Sequence, residues 1–145
     1  MKNVLIINGP NLNLLGEREP GIYGSDTFES LNQEVLETSK KLFFDDCEFF
    51  QSNHEGEIID KIHSARLDKC GIILNAGAYT HYSYAIRDAI SSVKIPVIEV
   101  HITNIYSRDE FRHKSVIAPV CAGHICGFGP LGYSLALQGL NDMIS

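Results

Sequence analysis

Apolar residues occur along this chain in two alternating patterns, short uninterrupted runs and longer stretches with helical spacing. The runs Val4–Ile7 and Ile72–Leu74 contain no polar residue, which is the pattern of parallel strands covered on both faces of a sheet. Further short segments of strand-like composition end at glycine or polar residues. The sequence therefore predicts five strands, at residues 3–7, 47–51, 72–74, 97–101 and 120–128.

Helical spacing of apolar residues fills the intervals between these strands. One such pattern runs from Phe28 to Phe44, behind the N-cap sequence Asp26–Thr27. If the third helix begins by His81, Asp88 lies two turns further along the same helix face. We expect the other helices at residues 55–67, in the segment 84–90 and at 130–144.

Strand and helix alternate along the whole length of the chain. Strands that are joined through helices form parallel sheets with right-handed crossovers. The predicted fold is therefore α/β, a flavodoxin-like doubly wound five-stranded parallel sheet with helices on both faces. A chain of 145 residues has the length of one domain, so we expect residues 1–145 to form a single domain.

A long connection without strand or helix patterning follows the first strand, from residue 12 to residue 25. It contains three glycines and Pro20, and connections of this length in a compact domain are usually functional or disordered. The connection also carries Arg18 and Tyr23. We therefore expect it to act as a lid over a binding site, with the glycines as hinges.

Charge and apolar content exclude several kinds of partner. The formal net charge of −6 argues against nucleic acid, since phosphate binding requires a basic surface. An anionic substrate would need locally concentrated arginine. No run reaches the roughly 20 apolar residues of a membrane span, and the first apolar run is too short for a secretion signal. We expect a cytoplasmic protein with no membrane partner.

Two sequence patterns suggest ligands that the surrounding residues do not support. Cys121, His124 and Cys126 lie close together, but without a second group of ligands such a run is poor evidence for zinc, and we expect no metal. The glycines of 127–132 match the dinucleotide motif GxGxxG. Too little chain follows for the next strand and its acidic residue, so we interpret this stretch as a strand-to-helix turn.

Polar residues gather where the predicted strands end. In a doubly wound sheet, ligands bind beyond the carboxyl ends of the strands. Residues 8–11, Asn75 and His101 occupy three such ends. Each polar residue has an ordinary interpretation as a turn, core or surface residue, but their common position favours a ligand site. The loops that follow the strands add Arg18, Tyr23, His81, Thr103 and Arg112.

The residue types in this set suit acid–base chemistry. A free tyrosine has a pKa of about 10, and a neighbouring guanidinium lowers it by favouring the phenolate. Arg18 lies five residues before Tyr23, which makes Tyr23 a candidate base. Glu99 and His101 project to the same face of their strand. The carboxylate can therefore orient the imidazole as a general acid.

Four blocks of the sequence carry a family resemblance: INGPNLNLLGEREPGIYG (7–24), NAGAYTHYSYAIRDA (75–89), VIEVHITNIYSRDEFRHKS (97–115) and GFGPLGYSLAL (127–137). In their order and spacing, they make the chain similar to type II 3-dehydroquinate dehydratase (type II dehydroquinase), a lyase of the shikimate pathway. The resemblance covers nearly the whole chain. It implies dehydration of 3-dehydroquinate to 3-dehydroshikimate without a metal, another cofactor or a Schiff base.

The resemblance also implies catalytic roles. Tyr23 would remove the proton next to the ketone, while Arg18 lowers its pKa and stabilises the transition state. The resulting enolate would be stabilised through a water held by Asn11. His101, oriented by Glu99, would protonate the departing hydroxyl, which completes a trans elimination.

Substrate-binding roles follow from the same resemblance. The substrate carboxylate would contact the backbone amides of Ile102 and Thr103 and the hydroxyl of Thr103, where many members of the family have serine. Asn75 would contact the departing hydroxyl. In this family the residue similar to Asp88 reaches into a neighbouring subunit's site, and the assembly is a dodecamer built of trimers. The remaining ring hydroxyls would be held by His81, Asp88 and Arg112.

Two alternatives remain open from the sequence. A flavin- or nucleotide-binding module could have the same fold, because fold alone does not fix function. An isomerase or dehydratase acting on another cyclic polyol acid would use the same acid–base residues with different ring contacts. The sequence also leaves open whether the pathway runs towards aromatic compounds or degrades quinate.

Overall fold

The computed structural model of the protein describes residues 1–17 and 26–145. The strands are β1 (Asn3–Asn8), β2 (Asp46–Gln51), β3 (Gly71–Asn75), β4 (Val97–His101) and β5 (Gly123–Cys126). The helices are α1 (Phe28–Lys41), α2 (Glu55–Ala65), α3 (Tyr84–Ser92) and α4 (Leu131–Ile144). Short 3₁₀ helices form at Leu12–Leu14, Gly77–His81, Ile105–Ser107, Glu110–Arg112 and Ala118–Val120.

The five strands form one parallel sheet in the order β2–β1–β3–β4–β5. This is the flavodoxin-like order, and the fold predicted from the sequence is confirmed. The strand order reverses between β1 and β3, because the chain extends from β1 to one edge and then returns past it to the other. Such a switch point leaves a crevice at the carboxyl ends of the strands, where ligands of this fold bind.

Both faces of the sheet are covered by helices, which explains the uninterrupted apolar runs in the sequence. Val4 and Ile6 of β1 pack towards α1 and α4, in a core that includes the fully buried Tyr133. Leu5 and Ile7 point the other way, towards α2 and α3. Since the middles of the strands are apolar on both faces, polar side chains concentrate at the strand ends.

Element boundaries differ most from the predictions at the end of α1 and at both ends of the fifth strand. α1 ends at Lys41 and not at Phe44, because Phe43 adopts a left-handed φ of 63° and turns the chain out of the helix. The fifth strand is shorter than predicted and covers only Gly123–Cys126. It is bounded before by the 3₁₀ helix Ala118–Val120 and after by Gly127, whose φ is 96°.

The third helix begins after His81, which decides the relation of His81 to Asp88. Gly77–His81 forms a separate 3₁₀ helix, and α3 starts at Tyr84. The side chain of Ser83 caps α3 by accepting a hydrogen bond from the backbone N–H of Ile86 at 3.0 Å. The condition for a shared helix face, a helix that begins by His81, is therefore not met.

Two further expectations concern the lid and the membrane. The residues Arg18 and Tyr23 of the predicted lid fall in the segment 18–25, outside the described residues.

In the rest of the chain, none of the helices has the length and apolar character needed to cross a membrane.

Gly9 lies where the loops leaving β1 and β3 make their closest approach. Its backbone N–H donates a hydrogen bond to the carbonyl of Asn75 at 2.7 Å. A Cβ atom at this position would lie 2.6 Å from the carbonyl oxygen of Ala76, well inside van der Waals contact. The two strand ends that frame the ligand crevice are therefore packed backbone against backbone, and only glycine fits between them.

We expect Gly9→Ala to destabilise the protein, because the added methyl group must push backbone atoms apart. Overpacking of this kind costs about 1–3 kcal/mol, which lowers the melting temperature by roughly 2–4 °C per kcal/mol in a protein of this size. Thermal unfolding followed by circular dichroism measures the change.

Gly56→Ala is the matched control for this substitution. Gly56 lies in the first turn of α2, and a Cβ there would have no neighbour within 4 Å. Its melting temperature should stay the same or rise slightly, since alanine is the better helix former by up to about 1 kcal/mol. Equal melting temperatures for the two variants would contradict the close approach at Gly9.

Candidate active site

A cleft opens at the carboxyl ends of β1, β3 and β4, the three central strands of the sheet. Asn8 and Asn75 are paired at the ends of β1 and β3, and β4 ends beside them at His101. The structure brings seven of the residues predicted for the site to this cleft: Asn11, Asn75, His81, His101, Ile102, Thr103 and Arg112.

Sequence reasoning missed other residues that line the cleft. Arg108 is the most important of them chemically, and its signal was its position in the loop after β4, four residues before Arg112. The others are small or apolar residues of the turns, for which the sequence offered no signal: Pro10, Leu12, Gly77, Ala78 and Ile105.

A buried hydrogen-bond network fixes the side chain of Asn75. Its Nδ2 donates to the Tyr133 hydroxyl at 3.0 Å, and its Oδ1 accepts from the backbone N–H of Gly77 at 3.0 Å. The Tyr133 hydroxyl donates in turn to Oδ1 of Asn8 at 2.5 Å. Tyr133 is fully buried, and burial raises the pKa of its phenol, so this group stays neutral. One N–H of Asn75 remains for a molecule in the cleft.

His101 at the end of β4 is held by the carboxylate of Glu99. The Nε2 of His101 lies 2.5 Å from Oε2 of Glu99, and Glu99 is fully buried. The hydroxyl of Thr80 donates to the same carboxylate at 2.6 Å, and the hydroxyl of Ser115 donates at 2.9 Å. Because Nε2 is engaged by Glu99, Nδ1 is the His101 nitrogen that can exchange a proton with a molecule in the cleft.

The surroundings of Glu99 keep it ionised. Burial alone would raise the pKa of the Glu99 carboxyl. The hydrogen bond and charge of His101 outweigh that effect, with help from the hydrogen bond of Thr80, and hold this pKa below its usual value. The structure contains the pairing of Glu99 with His101 that the strand spacing predicts. The Glu99 carboxylate places a fixed negative charge behind the imidazole.

His81 presents one nitrogen to the cleft and one to the protein. Its Nδ1 lies 2.8 Å from the carbonyl oxygen of Lys114, and because a carbonyl only accepts, this nitrogen carries the proton. Burial lowers the pKa of His81, and the nearby charges of His101 and Arg112 lower it further, against the opposing effects of Lys114 and Glu99. A neutral His81 leaves Nε2 as a hydrogen-bond acceptor.

Two guanidinium groups make the cleft locally positive in a chain whose net charge is −6. Arg112 lies over the ring of Phe111, with 4.7 Å between the guanidinium carbon and the ring centroid. Its Nε is buried and has no hydrogen-bond partner among residues 1–17 and 26–145. Together with Arg108, it provides the concentration of arginine that the sequence analysis required for an anionic ligand.

Thr103 and Ile102 begin the loop after β4, and the glycine turn before α4 supports them. The backbone N–H of Gly129 donates to the carbonyl of Ile102 at 2.9 Å, and that of Gly127 donates to the carbonyl of His101 at 3.3 Å. Both glycines have left-handed φ values, 62° and 96°. The interpretation of GxGxxG as a strand-to-helix turn is confirmed, and the turn holds the loop that lines the cleft.

Asn11 occupies the opposite wall of the cleft, in the loop after β1. Its φ is 70°, a conformation that asparagine tolerates better than most residues. Its backbone N–H donates to Oδ1 of Asn53 at 2.9 Å, and the side chain of Gln51 donates to the carbonyl of Gly9 at 3.2 Å. Residues at the end of β2 thus fix the loop that presents the Asn11 side chain.

Of the predicted site residues that the structure describes, two do not line this cleft: Glu99, which lies behind His101, and Asp88. Asp88 is exposed on α3 and is not among the cleft residues. Arg18 and Tyr23 belong to the segment outside the described residues. Their assignment to the site stays a prediction.

One group of side chains in the described part of the chain has the arrangement of metal ligands. Donor atoms of Glu99, His101 and His124 lie within 4.8 Å of one another. The sequence had associated His124 with Cys121 and Cys126, but those two cysteines are not part of this group.

Comparisons with known proteins agree with the geometry. The family described as dehydroquinase class II matches residues 2–141. A 3-dehydroquinate dehydratase of Caldicellulosiruptor bescii is 61% identical over 145 residues, with 99% of each chain covered. One from Bacillus cytotoxicus is 60% identical over 144 residues, covering 99% of this chain and 98% of the relative.

A solved structure gives the same result for the fold. The type II dehydroquinase of Butyrivibrio crossotus superposes with a TM-score of 0.94 at 54% sequence identity, and 97% of each chain is covered. Sequence and structure therefore agree over almost the entire length, and they confirm the family resemblance: the chain belongs to the class II dehydroquinase family.

Proposed function

We propose that this protein, as a single catalytic domain, dehydrates 3-dehydroquinate to 3-dehydroshikimate in the shikimate pathway. The observation that carries the proposal is the buried Glu99–His101 pair, which opens on a cleft with two arginines. Loss of water from an anionic hydroxy acid needs a proton donor for the leaving hydroxyl, and a positively charged cleft favours binding of the anion. Relatives that are named 3-dehydroquinate dehydratase support the same reaction.

His101 acts as the general acid in this mechanism. In its protonated form, Nε2–H remains bonded to Glu99, and Nδ1–H faces the leaving hydroxyl. The carbon–oxygen bond breaks as that proton is transferred, so the hydroxyl departs as water. The free N–H of Asn75 contacts the same hydroxyl and orients it.

Tyr23 acts as the base, with its phenolate favoured by the neighbouring Arg18. The support for this step is the sequence similarity to the family, since both residues lie outside the described ones. The phenolate takes a proton from the carbon next to the ketone, and the electron pair moves into the carbonyl to form an enolate. A water held by Asn11 donates a hydrogen bond to the enolate oxygen. No Schiff base is needed.

The remaining cleft residues hold the substrate in one orientation. The carboxylate is bound by the backbone amides of Ile102 and Thr103 and by the Thr103 hydroxyl. The neutral His81 accepts a hydrogen bond from a ring hydroxyl through Nε2, and Arg112 donates to another. Positioning of this kind places the acidic C–H against the base and the leaving hydroxyl against the acid.

A neighbouring subunit completes the site in this proposal. Asp88 is exposed on α3, as expected for a residue that serves a partner's site and not its own. We place it against the substrate or lid of an adjacent copy, within a dodecamer built of trimers. The four free cysteines fit the reducing conditions of the cytoplasm.

The decisive experiment is an ultraviolet assay with purified protein and 3-dehydroquinate. The product contains a carbonyl conjugated to a double bond, so the absorbance of an enone should increase with time. The rate should be the same after treatment with borohydride and substrate, which would trap an imine. If the absorbance does not change, the protein does not dehydrate 3-dehydroquinate. If activity is lost after borohydride treatment, the reaction proceeds through a Schiff base and the proposed mechanism is wrong.

We expect Tyr23→Phe to remove most of the turnover and leave substrate binding nearly unchanged, because only the proton transfer is lost. General base catalysis contributes about 10²–10⁴-fold, so kcat should fall by that factor while KM changes little. Steady-state kinetics in the enone assay measure both.

Tyr84→Phe is the matched control, because Tyr84 is 63% exposed at the start of α3. It should keep normal kinetics. A near-normal kcat for Tyr23→Phe would show that Tyr23 is not the catalytic base.

We expect Glu99→Gln to lower kcat by about 10²-fold or more, since the general acid loses its counter-charge. Substrate affinity should change little, because Glu99 lies behind His101 and not in the cleft lining. Glu110→Gln makes the same chemical change at an exposed position of the nearby 3₁₀ helix Glu110–Arg112 and should leave kcat unaltered. Equal kcat values for the two variants would contradict the role of Glu99.

The same variant should also change how stability depends on pH. The pKa of Glu99 is lowered in the folded protein from its ordinary value of 4.5. Its ionised form therefore contributes stability above pH 4.5, and this contribution is lost as the pH falls through the folded pKa. The free energy of unfolding of the wild type should fall towards that of Glu99→Gln over this range, as measured by urea titration at a series of pH values.

We expect Tyr23→Phe and Asp88→Ala chains to regain activity when they are assembled together. Sites that take Tyr23 from one chain and Asp88 from its neighbour are then intact, although each variant alone is impaired. The enone assay on co-expressed protein measures the recovery. The control is co-expression of Tyr23→Phe with His101→Ala, which changes two residues of the same site and should recover nothing. No recovery in the first mixture would place Asp88 in its own chain's site or outside any site.

A further inference from the structure

His124 faces the acid–base pair from the neighbouring strand, although the proposed reaction does not use it. It lies on β5 directly opposite Glu99 in the strand register, and paired residues of parallel strands project to the same face of the sheet. The Nε2 of His124 lies 3.7 Å from Oε2 of Glu99. The rings of His101 and His124 have centroids 5.7 Å apart.

The Nε2 atom of His124 has an unusual environment. It is buried, and in the described part of the chain it has no hydrogen-bond partner. An unpaired buried polar atom costs about 1–3 kcal/mol, and such atoms in folded proteins often mark an ion-binding or water-binding position. The atom points towards a carboxylate that is already bound by His101, Thr80 and Ser115.

The three side chains match the ligand chemistry of zinc. Two imidazoles and one carboxylate are a common zinc-binding set, in which a fourth position is left open. Ligand atoms around a tetrahedral zinc lie about 3.3 Å apart. The separations here are 2.5 Å for the pair of Glu99 with His101 and 3.7 Å for the pair of Glu99 with His124, and all three donor atoms lie within 4.8 Å of one another. Side-chain movements of about an ångström would bring them to these distances.

The carboxylate is also held in the way that metal ligands usually are. The hydroxyls of Ser115 and Thr80 donate to Glu99, and hydrogen bonds of this kind orient the ligands of metal sites. β5 is an edge strand, and the His124 side chain is 23% exposed, while that of Glu99 is fully buried. A cation can therefore approach from the side of His124.

We propose that Glu99, His101 and His124 form an inhibitory site for Zn²⁺ or a cation of similar ligand preference. This inference rests on the proposed function, because the inhibition acts through the general acid. The cation takes the place of the proton between Glu99 and His101, and that proton is released to solvent. His101 keeps its Nδ1–H, but giving up that proton would now leave an imidazolate on the cation and not a neutral imidazole. Metal-bound His101 is therefore a much weaker acid towards the leaving hydroxyl. Mg²⁺ prefers oxygen ligands in octahedral geometry and does not bind here.

Inhibition of the wild type by Zn²⁺ should be compared with that of His124→Val in the enone assay. Wild type should lose activity as Zn²⁺ increases and regain it on addition of EDTA, whereas Mg²⁺ should have no effect. His124→Val should keep its basal kcat and need at least about 10-fold more Zn²⁺, because even changes outside the ligand set cost metal affinity roughly 10–100-fold. Equal sensitivity of the two proteins would overturn the proposal.

His63→Gln is the matched control, because His63 is exposed on α2. It removes a histidine without changing the proposed site, so it should retain the Zn²⁺ sensitivity of the wild type. Loss of sensitivity in this variant would assign the inhibition to surface binding and overturn the proposal.

Titration with Co²⁺ tests the site without reference to activity. Tetrahedral Co²⁺ absorbs visible light, and the wild type should gain this absorption at one equivalent while His124→Val does not. If thermal unfolding shows that His124→Val is not folded at the assay temperature, His124→Gln, which retains a polar side chain, replaces it in this titration. Co²⁺ binding without dehydratase activity would contradict the proposed function alone, whereas the same spectrum in both proteins would contradict the zinc site.

Discussion

The buried carboxylate of Glu99 is the interaction on which the arrangement of the cleft depends. An unpaired charge with no exposure to water costs several kcal/mol, so the fold must surround it with donors. The structure supplies them from three parts of the chain: Thr80 before α3, His101 on β4 and Ser115 in the following loop. Each donor also fixes its own segment. Satisfying one charge therefore sets the relative positions of the loops that leave β3 and β4.

The sheet and its polar edge could be predicted from the sequence because both follow from local patterns. Short apolar runs such as Val4–Ile7 are typical of parallel strands covered on both faces, and parallel strands bring their carboxyl ends to one edge. Asn75 and His101 were therefore assigned to the site from position alone. Glu99 was assigned to His101 from the two-residue repeat of a strand, and the 2.5 Å contact between them follows the same rule.

The remaining features depend on contacts that no local pattern encodes. Tyr133 bonds to Asn75 across 58 residues of sequence, and Ser115 reaches Glu99 from a loop without periodicity. His81 and Asp88 would share a helix face only if their helix began by His81, but the cap at Ser83 starts it later. His124 was grouped with Cys121 and Cys126 because they are neighbours in sequence. Strand pairing places it beside Glu99 instead, and pairing is decided by the whole sheet.

Each of three polar side chains in the cleft has one polar atom bonded to the protein and another that is left for a ligand. His101 gives Nε2 to Glu99 and keeps Nδ1, while His81 gives Nδ1 to the Lys114 carbonyl and keeps Nε2. Asn75 is held by Tyr133 and Gly77 and keeps one N–H. Because one end of each group is fixed by the protein, the other end has a defined direction and protonation pattern before any ligand arrives. Little reorganisation is then needed as charge develops during the reaction, and this is the condition under which hydrogen bonds stabilise a transition state more than a substrate.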